Sequence, residues 1–199
     1  VKGDYEFRGY GRNNENIYTL SGAARVANNV EMGFNVKHDD QDLFQIPRAS
    51  DGALGNWQDD RQQGEIYAAY LLDGGARAQA SVFANNDTVG GGLYYDFDNS
   101  LGRSGVFGEY HRPYWDTVEG VYNDATRDRV GVRHYALVNP TLSVGGEASY
   151  NRYNTSTDDD VSQSGLIRLS VIQRLQEMTE DQPYLAIGYG FDGEYFNDR

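Results

Sequence analysis

Hydrophobic residues recur at every second position through most of the chain, in segments joined alternately by short and long connections. Near the start, Tyr5, Phe7, Gly9 and Gly11 fall on one side, and Asp4, Glu6, Arg8, Tyr10 and Arg12 fall on the other. A period of two belongs to a β-strand, whose successive side chains point to opposite faces. The rhythm returns in Tyr18, Leu20, Gly22, Ala24 and Val26, in Val30, Met32, Phe34 and Val36, and in Ile66, Ala68, Tyr70 and Leu72. It continues through Ala76, Ala78, Ala80, Val82 and Ala84, through Val89, Gly91, Leu93, Tyr95 and Phe97, and through Val130, Val132, Ala136 and Val138. Leu142, Val144, Gly146, Ala148 and Tyr150 carry it further, and Leu185, Ile187, Tyr189 and Phe191 close it. With weaker segments at 106–111 and 166–175, the pattern predicts about eleven strands of ~9 to 12 residues each. The stretch 163–178 also fits an amphipathic helix through Leu166, Leu169, Ile172 and Leu175.

The connections divide by length. Those from even-numbered to odd-numbered strands are brief and made of turn-forming residues: Asn28-Asn29, Asp73-Gly74-Gly75, 99–103, Asn139-Pro140 and Glu180-Asp181-Gln182. On the opposite side, 38–60, 112–128 and 152–160 are predicted as long loops, with Asn85 to Asp87 a short exception. Tight turns at one end, large loops at the other, and apolar residues alternating with polar ones predict a transmembrane up-and-down antiparallel β-barrel of the bacterial outer membrane. A soluble barrel of lipocalin type turns its apolar residues inward and closes at about eight strands. Bacterial single-chain barrels have even strand counts, so the eleven strands are expected to be part of a larger barrel of about 16 strands. The chain is then an excerpt of a longer protein, forming one barrel domain over 1–199. The large loops are expected outside the cell and the short turns in the periplasm.

Composition narrows this reading without changing it. Hydrophobic residues make up 39% of the 199 residues, with 24 glycines and 16 tyrosines. Mean hydropathy is -0.69. No apolar run approaches the ~20 residues that a spanning helix requires. The absence of cysteine excludes disulfides and thiolate metal sites. A formal net charge of -13 argues against nucleic acid, whose recognition depends on clustered cations, and favours a cationic partner.

If the apolar face meets lipid, the other face lines a lumen. By parity, the acids facing it are Asp4, Glu6, Glu31, Glu65, Asp96, Asp98, Glu109, Glu147, Asp192 and Glu194, all but Asp4 also on the expected cargo path, and the tyrosines are Tyr10, Tyr67, Tyr94 and Tyr135. Arg8, Arg12, Arg25, Lys37, Arg77, Arg133 and Arg168 share it. Carboxylates offer weak, repeated attraction to a cation, and tyrosine joins an apolar ring to a hydroxyl, which suits sugar rings. Further acids crown the loop end: Asp39, Asp40 and Asp42, then Asp59 and Asp60, then Asp158, Asp159 and Asp160. The last triplet lacks the spaced ligands and central glycine of a calcium loop. Enzymatic chemistry finds no support, because His38, His111 and His134 stand in no recognisable motif. No cofactor or metal is expected.

The closing segment, Leu185-Ala186-Ile187-Gly188-Tyr189-Gly190-Phe191-Asp192-Gly193-Glu194-Tyr195-Phe196, resembles the late strands of exopolysaccharide export porins. The likeness is to PelB-like Pel exporters first and to poly-N-acetylglucosamine exporters next. The resemblance implies an outer-membrane porin that exports a cationic, partly deacetylated exopolysaccharide of a biofilm matrix. It also implies a periplasmic helical-repeat region upstream and periplasmic or lipoprotein partners in an export complex. The alternatives are a general or solute-specific diffusion porin and an outer-membrane adhesin or anchor.

Overall fold

The computed structural model describes residues 1–10, 13–47, 54–114, 125–154, 162–174 and 186–197. They form eleven strands: β1 (Lys2–Tyr10), β2 (Asn13–Ala27), β3 (Val30–Pro47), β4 (Leu54–Leu71), β5 (Arg77–Asn85), β6 (Val89–Asn99), β7 (Gly102–Pro113), β8 (Thr126–Asn139), β9 (Leu142–Asn154), β10 (Ser162–Arg174) and β11 (Ala186–Asn197). Each strand pairs antiparallel with the next, so the order across the sheet is the order along the chain. The sheet is an all-β meander that is not closed: β1 and β11 stand at its two edges. Both weak segments are strands over their described residues, and β10 forms ladders with β9 and β11 over 163–174 of the stretch that also fitted a helix; 175–178 lie outside the described residues.

Register fixes what each face carries. Met32, Ala68, Ala80, Leu93, Gly108, Val130, Tyr150, Gly165 and Tyr195 form one row from β3 to β11, each opposite the next. Its apolar members lie open, Leu93 at 69% exposure and Val130 at 59%. On the other face Phe83, Asp96, Glu109 and Leu166 are buried. Burial is thus the inverse of a water-soluble domain, which covers its apolar face and leaves its charges wet.

Curvature follows from side chains that meet across several strands. Neighbouring strands are ~4.8 Å apart, so β4 and β7 would be ~14 Å apart if the sheet were flat. Arg112 of β7 nevertheless reaches Glu65 of β4 at 3.6 Å. Asn35 and Lys37 of β3 line the same small cavity as Arg127 of β8. The sheet therefore curls around its polar face at this end.

Two sequence expectations are corrected. The segment 38–60 is not a loop: β3 and β4 stay paired from Asp39↔Arg61 out to Pro47↔Leu54, leaving only 48–53 outside the described residues. Polar residues occupy both faces there, as in Asp39, Asp40, Gln41 and Asp42, so the hydrophobic rhythm ends while the backbone ladder continues. Strand length is corrected too, with β3 and β4 at 18 residues each and β2 at 15. Of the connections predicted at 112–128 and 152–160, 115–124 and 155–161 lie outside the described residues, and Arg112, Pro113, Thr126 to Asp128 and Arg152 to Asn154 are strand, not loop. β7 ends at Pro113, Tyr114 donates its N–H to the Ala125 carbonyl at 2.8 Å, and β8 begins at Thr126. β9 and β10 flank 155–161, which lies outside the described residues together with Asp158 to Asp160, and the turn Glu180-Asp181-Gln182 also lies outside them.

Asparagine oxygens close two of the brief connections, one at each end of the sheet. Asn85 Oδ1 accepts from the Asp87 and Thr88 amides, and Asn139 Oδ1 from those of Thr141 and Leu142. Asparagine mimics a backbone turn in this way. Between β4 and β5 the 3-10 turn Asp73–Gly75 has Gly74 at φ 78°, a conformation that glycine adopts without steric cost.

Candidate functional site: the polar face

Parity places the predicted acids and tyrosines on one face of the sheet, and the register keeps them there. Arg25, Glu31 and Ala69 are opposite one another; so are Asp96, Gly105, Arg133, Glu147, Arg168 and Asp192, in a row from β6 to β11. Asp96 and Glu109 are buried, Glu31, Glu65 and Glu147 half-buried, and Glu6, Asp98, Asp192 and Glu194 exposed. Tyr67 and Tyr94 are half-buried and Tyr135 is exposed. Tyr10 ends β1 opposite Asn13, and its side chain lies outside the description.

The sequence did not reveal how closely these acids are matched to arginines. Arg77 donates to Glu31 at 2.8 Å, and Arg133 grips both oxygens of Asp96 at 2.8 Å. Arg112 meets Glu109 at 2.7 Å as well as Glu65, and Arg127 approaches Glu109 at 3.8 Å. Arg129 pairs with Glu147, Arg103 with Asp98 and Arg168 with Asp192. Glu194 is held by the hydroxyls of Tyr153 and Ser164. A carboxylate in a bidentate pair is largely neutralised as a point charge, while its outer lone pairs stay available. The face is therefore zwitterionic, not simply acidic.

Spacing along the strands explains the pairing. Two of the pairs sit two strands apart: Glu31 of β3 with Arg77 of β5, and Asp96 of β6 with Arg133 of β8. An arginine spans that distance only if the strand between is low, and Gly105 of β7 lies directly beneath the Asp96–Arg133 pair. A Cβ at Gly105 would meet Asp96 Oδ1 and the Arg133 guanidinium. The rings use the same arrangement. Tyr67 lies over Gly33, and Phe107 lies over Gly131, its direct cross-strand partner. Glycine opposite an aromatic lets the ring cover the exposed backbone.

Tyr67 and Tyr94 are turned into the network by their hydroxyls, which donate to Glu31 at 3.3 Å and Glu109 at 2.7 Å. Arg112 gathers the largest cluster. It donates to Tyr94 Oη at 3.0 Å, and its guanidinium lies 4.6 Å from the centre of the Phe83 ring, a cation–π distance. A bulge between Glu109 and Arg112 aims it. His111 sits in the bulge at φ 52°, and the Asp128 carboxylate accepts from both its N–H (2.8 Å) and Nδ1 (2.9 Å).

Two depressions matter to the chemistry. On the apolar face a broad trough of about 1420 Å³ runs from β3 to β11, where Ala68, Ala80, Gly108, Ala148 and Gly165 are low between Tyr70, Tyr95 and Tyr150. Its walls carry few polar groups to orient a reacting ligand. On the polar face, towards the short turns, a groove of about 420 Å³ is lined by charged pairs and Tyr135. The outward face also holds a contact that no motif announced: Ser104 Oγ and His134 Nδ1 lie 2.9 Å apart, with the Asn99 amide 2.8 Å from the same oxygen.

Fold and faces together define an eleven-stranded antiparallel meander with one apolar and one ion-paired face. No family model, curated protein or solved structure matches the chain.

Proposed function

We propose that this sheet is wall of an outer-membrane β-barrel, apolar face to lipid, whose polar face lines an export path for a partly deacetylated, cationic exopolysaccharide. The observation that carries the reading is the inverted burial. Leu93, Ile66 and Val130 stand open on one face while Asp96 and Glu109 are packed into the other. Hydrocarbon is the solvent in which such a surface is stable, and antiparallel strands satisfy the backbone there. The ion-paired face supports a hydrated conduit, since a wall whose acids are already matched to arginines holds a cationic polymer only weakly and lets it move on.

Reversal potential and sugar block in a planar bilayer test the reading. The parent barrel should conduct, favour cations modestly, and be blocked by glucosamine oligomers. Conductance with neither selectivity nor block would favour a diffusion porin, a second reading that the balance of acids and arginines on this face also supports. An absence of conductance would remove the conduit altogether.

A further inference from the structure

We propose that the polar-face groove towards the short turns is a saccharide subsite that takes an uncharged pyranose unit stacked on Tyr135. The inference deepens the proposed function and rests on it for the nature of the cargo: in a partly deacetylated chain, the units held here are the acetylated ones.

Tyr135 differs from the other described tyrosines of this face. Tyr67, Tyr94 and Tyr153 spend their hydroxyls on Glu31, Glu109 and Glu194. Tyr135 is 43% exposed, and its ring borders the groove. Its cross-strand partner is Gly145, where a Cβ would stand 3.8 Å from the ring and 2.7 Å from Ser170 Oγ. The floor stays low across β9, and Gly190 continues it on β11, where a Cβ would find only the Leu169 carbonyl at 3.9 Å. An aromatic ring beside a low floor, on which Ser170 of β10 is the one small side chain between Gly145 and Gly190, suits the apolar face of a pyranose, which stacks on aromatic surfaces as other flat rings do. The volume of about 420 Å³ falls in the ~300–1,000 Å³ range of small-ligand pockets.

Charge decides which pyranose. Three arginines, Arg103, Arg133 and Arg168, line the groove with three carboxylates, Asp96, Glu147 and Asp192. Arg133 is bidentate on Asp96, and Arg168 Nε lies 3.4 Å from Asp192. Each pair presents N–H donors and free carboxylate lone pairs side by side, matching the mixed donor and acceptor character of sugar hydroxyls. An ammonium would gain little from acids whose charge is already met, and would lie close to three guanidinium groups.

The test titrates the full chain in detergent micelles with the pentamer of N-acetylglucosamine and with its deacetylated counterpart, following binding calorimetrically. The acetylated pentamer should bind several-fold more tightly. Tyr135→Ala should weaken it about tenfold, the scale of one lost stacking contact, and Tyr135→Phe should keep it. Gly190→Leu, which fills the far side of the groove, should abolish binding, and it decides the matter if Tyr135→Ala does not fold. Tighter binding of the deacetylated pentamer, or unaltered binding in Tyr135→Ala or Gly190→Leu, overturns the subsite. A conducting pore that glucosamine oligomers block, but that binds the acetylated pentamer no more tightly than the deacetylated one, keeps the conduit and sinks the subsite; a non-conducting barrel that binds the acetylated one does the reverse.

Discussion

Gly33, Gly105 and Gly131 each lie beneath a side chain from an adjoining strand: the Tyr67 ring, the Asp96–Arg133 pair and the Phe107 ring. Such a position tolerates no side chain, because the covering group is itself fixed by its partners. Gly105→Val should therefore cost about 1–3 kcal/mol, the usual scale of overpacking, read from denaturant unfolding. The pair above it makes a sharper case. Asp96 is 8% exposed, so Arg133→Leu alone leaves a carboxylate out of water without its partner, at about 1–3 kcal/mol. Asp96→Asn combined with Arg133→Leu should recover part of that loss in a double-mutant cycle, and strict additivity would count against a coupled pair.

At the scale of elements, strand number, order and face were legible in the sequence because alternation is a direct image of the pleat. Even the irregular segments that became β7 and β10 kept enough of it. The polar continuation of β3 and β4 was not legible. Where Asp39 faces Arg61 and Gln41 faces Asp59, hydrogen bonds of the ladder and contacts such as Gln41 to Glu15 at 2.9 Å replace the apolar contrast on which periodicity depends. Amide hydrogen exchange should be slow at successive residues of 39–42, which are paired on both sides, and at alternate residues of 57–61, which are paired with β3 alone; uniformly fast exchange would return this segment to a loop. The site was legible in part for the same reason. Parity gave the face of Glu31, Asp96 and Glu147, but which arginine crosses to each acid depends on the height of the strand between, and on a bulge at His111 that the sequence does not announce.

For the whole molecule, the two faces call for two solvents. Cysteines placed at Leu93 and Ile167 should react with a lipid-dissolved maleimide and resist a charged one, whereas a cysteine at Asp192 should do the opposite. Equal labelling of all three by the charged reagent would place both faces in water. The odd strand count carries a geometric consequence of its own. In an alternating meander, β1 and β11 run in the same direction, so bringing these edges together would make a parallel seam in an otherwise antiparallel sheet. A cylinder without that seam needs an odd number of further strands between them, and its circumference can grow only in steps of two.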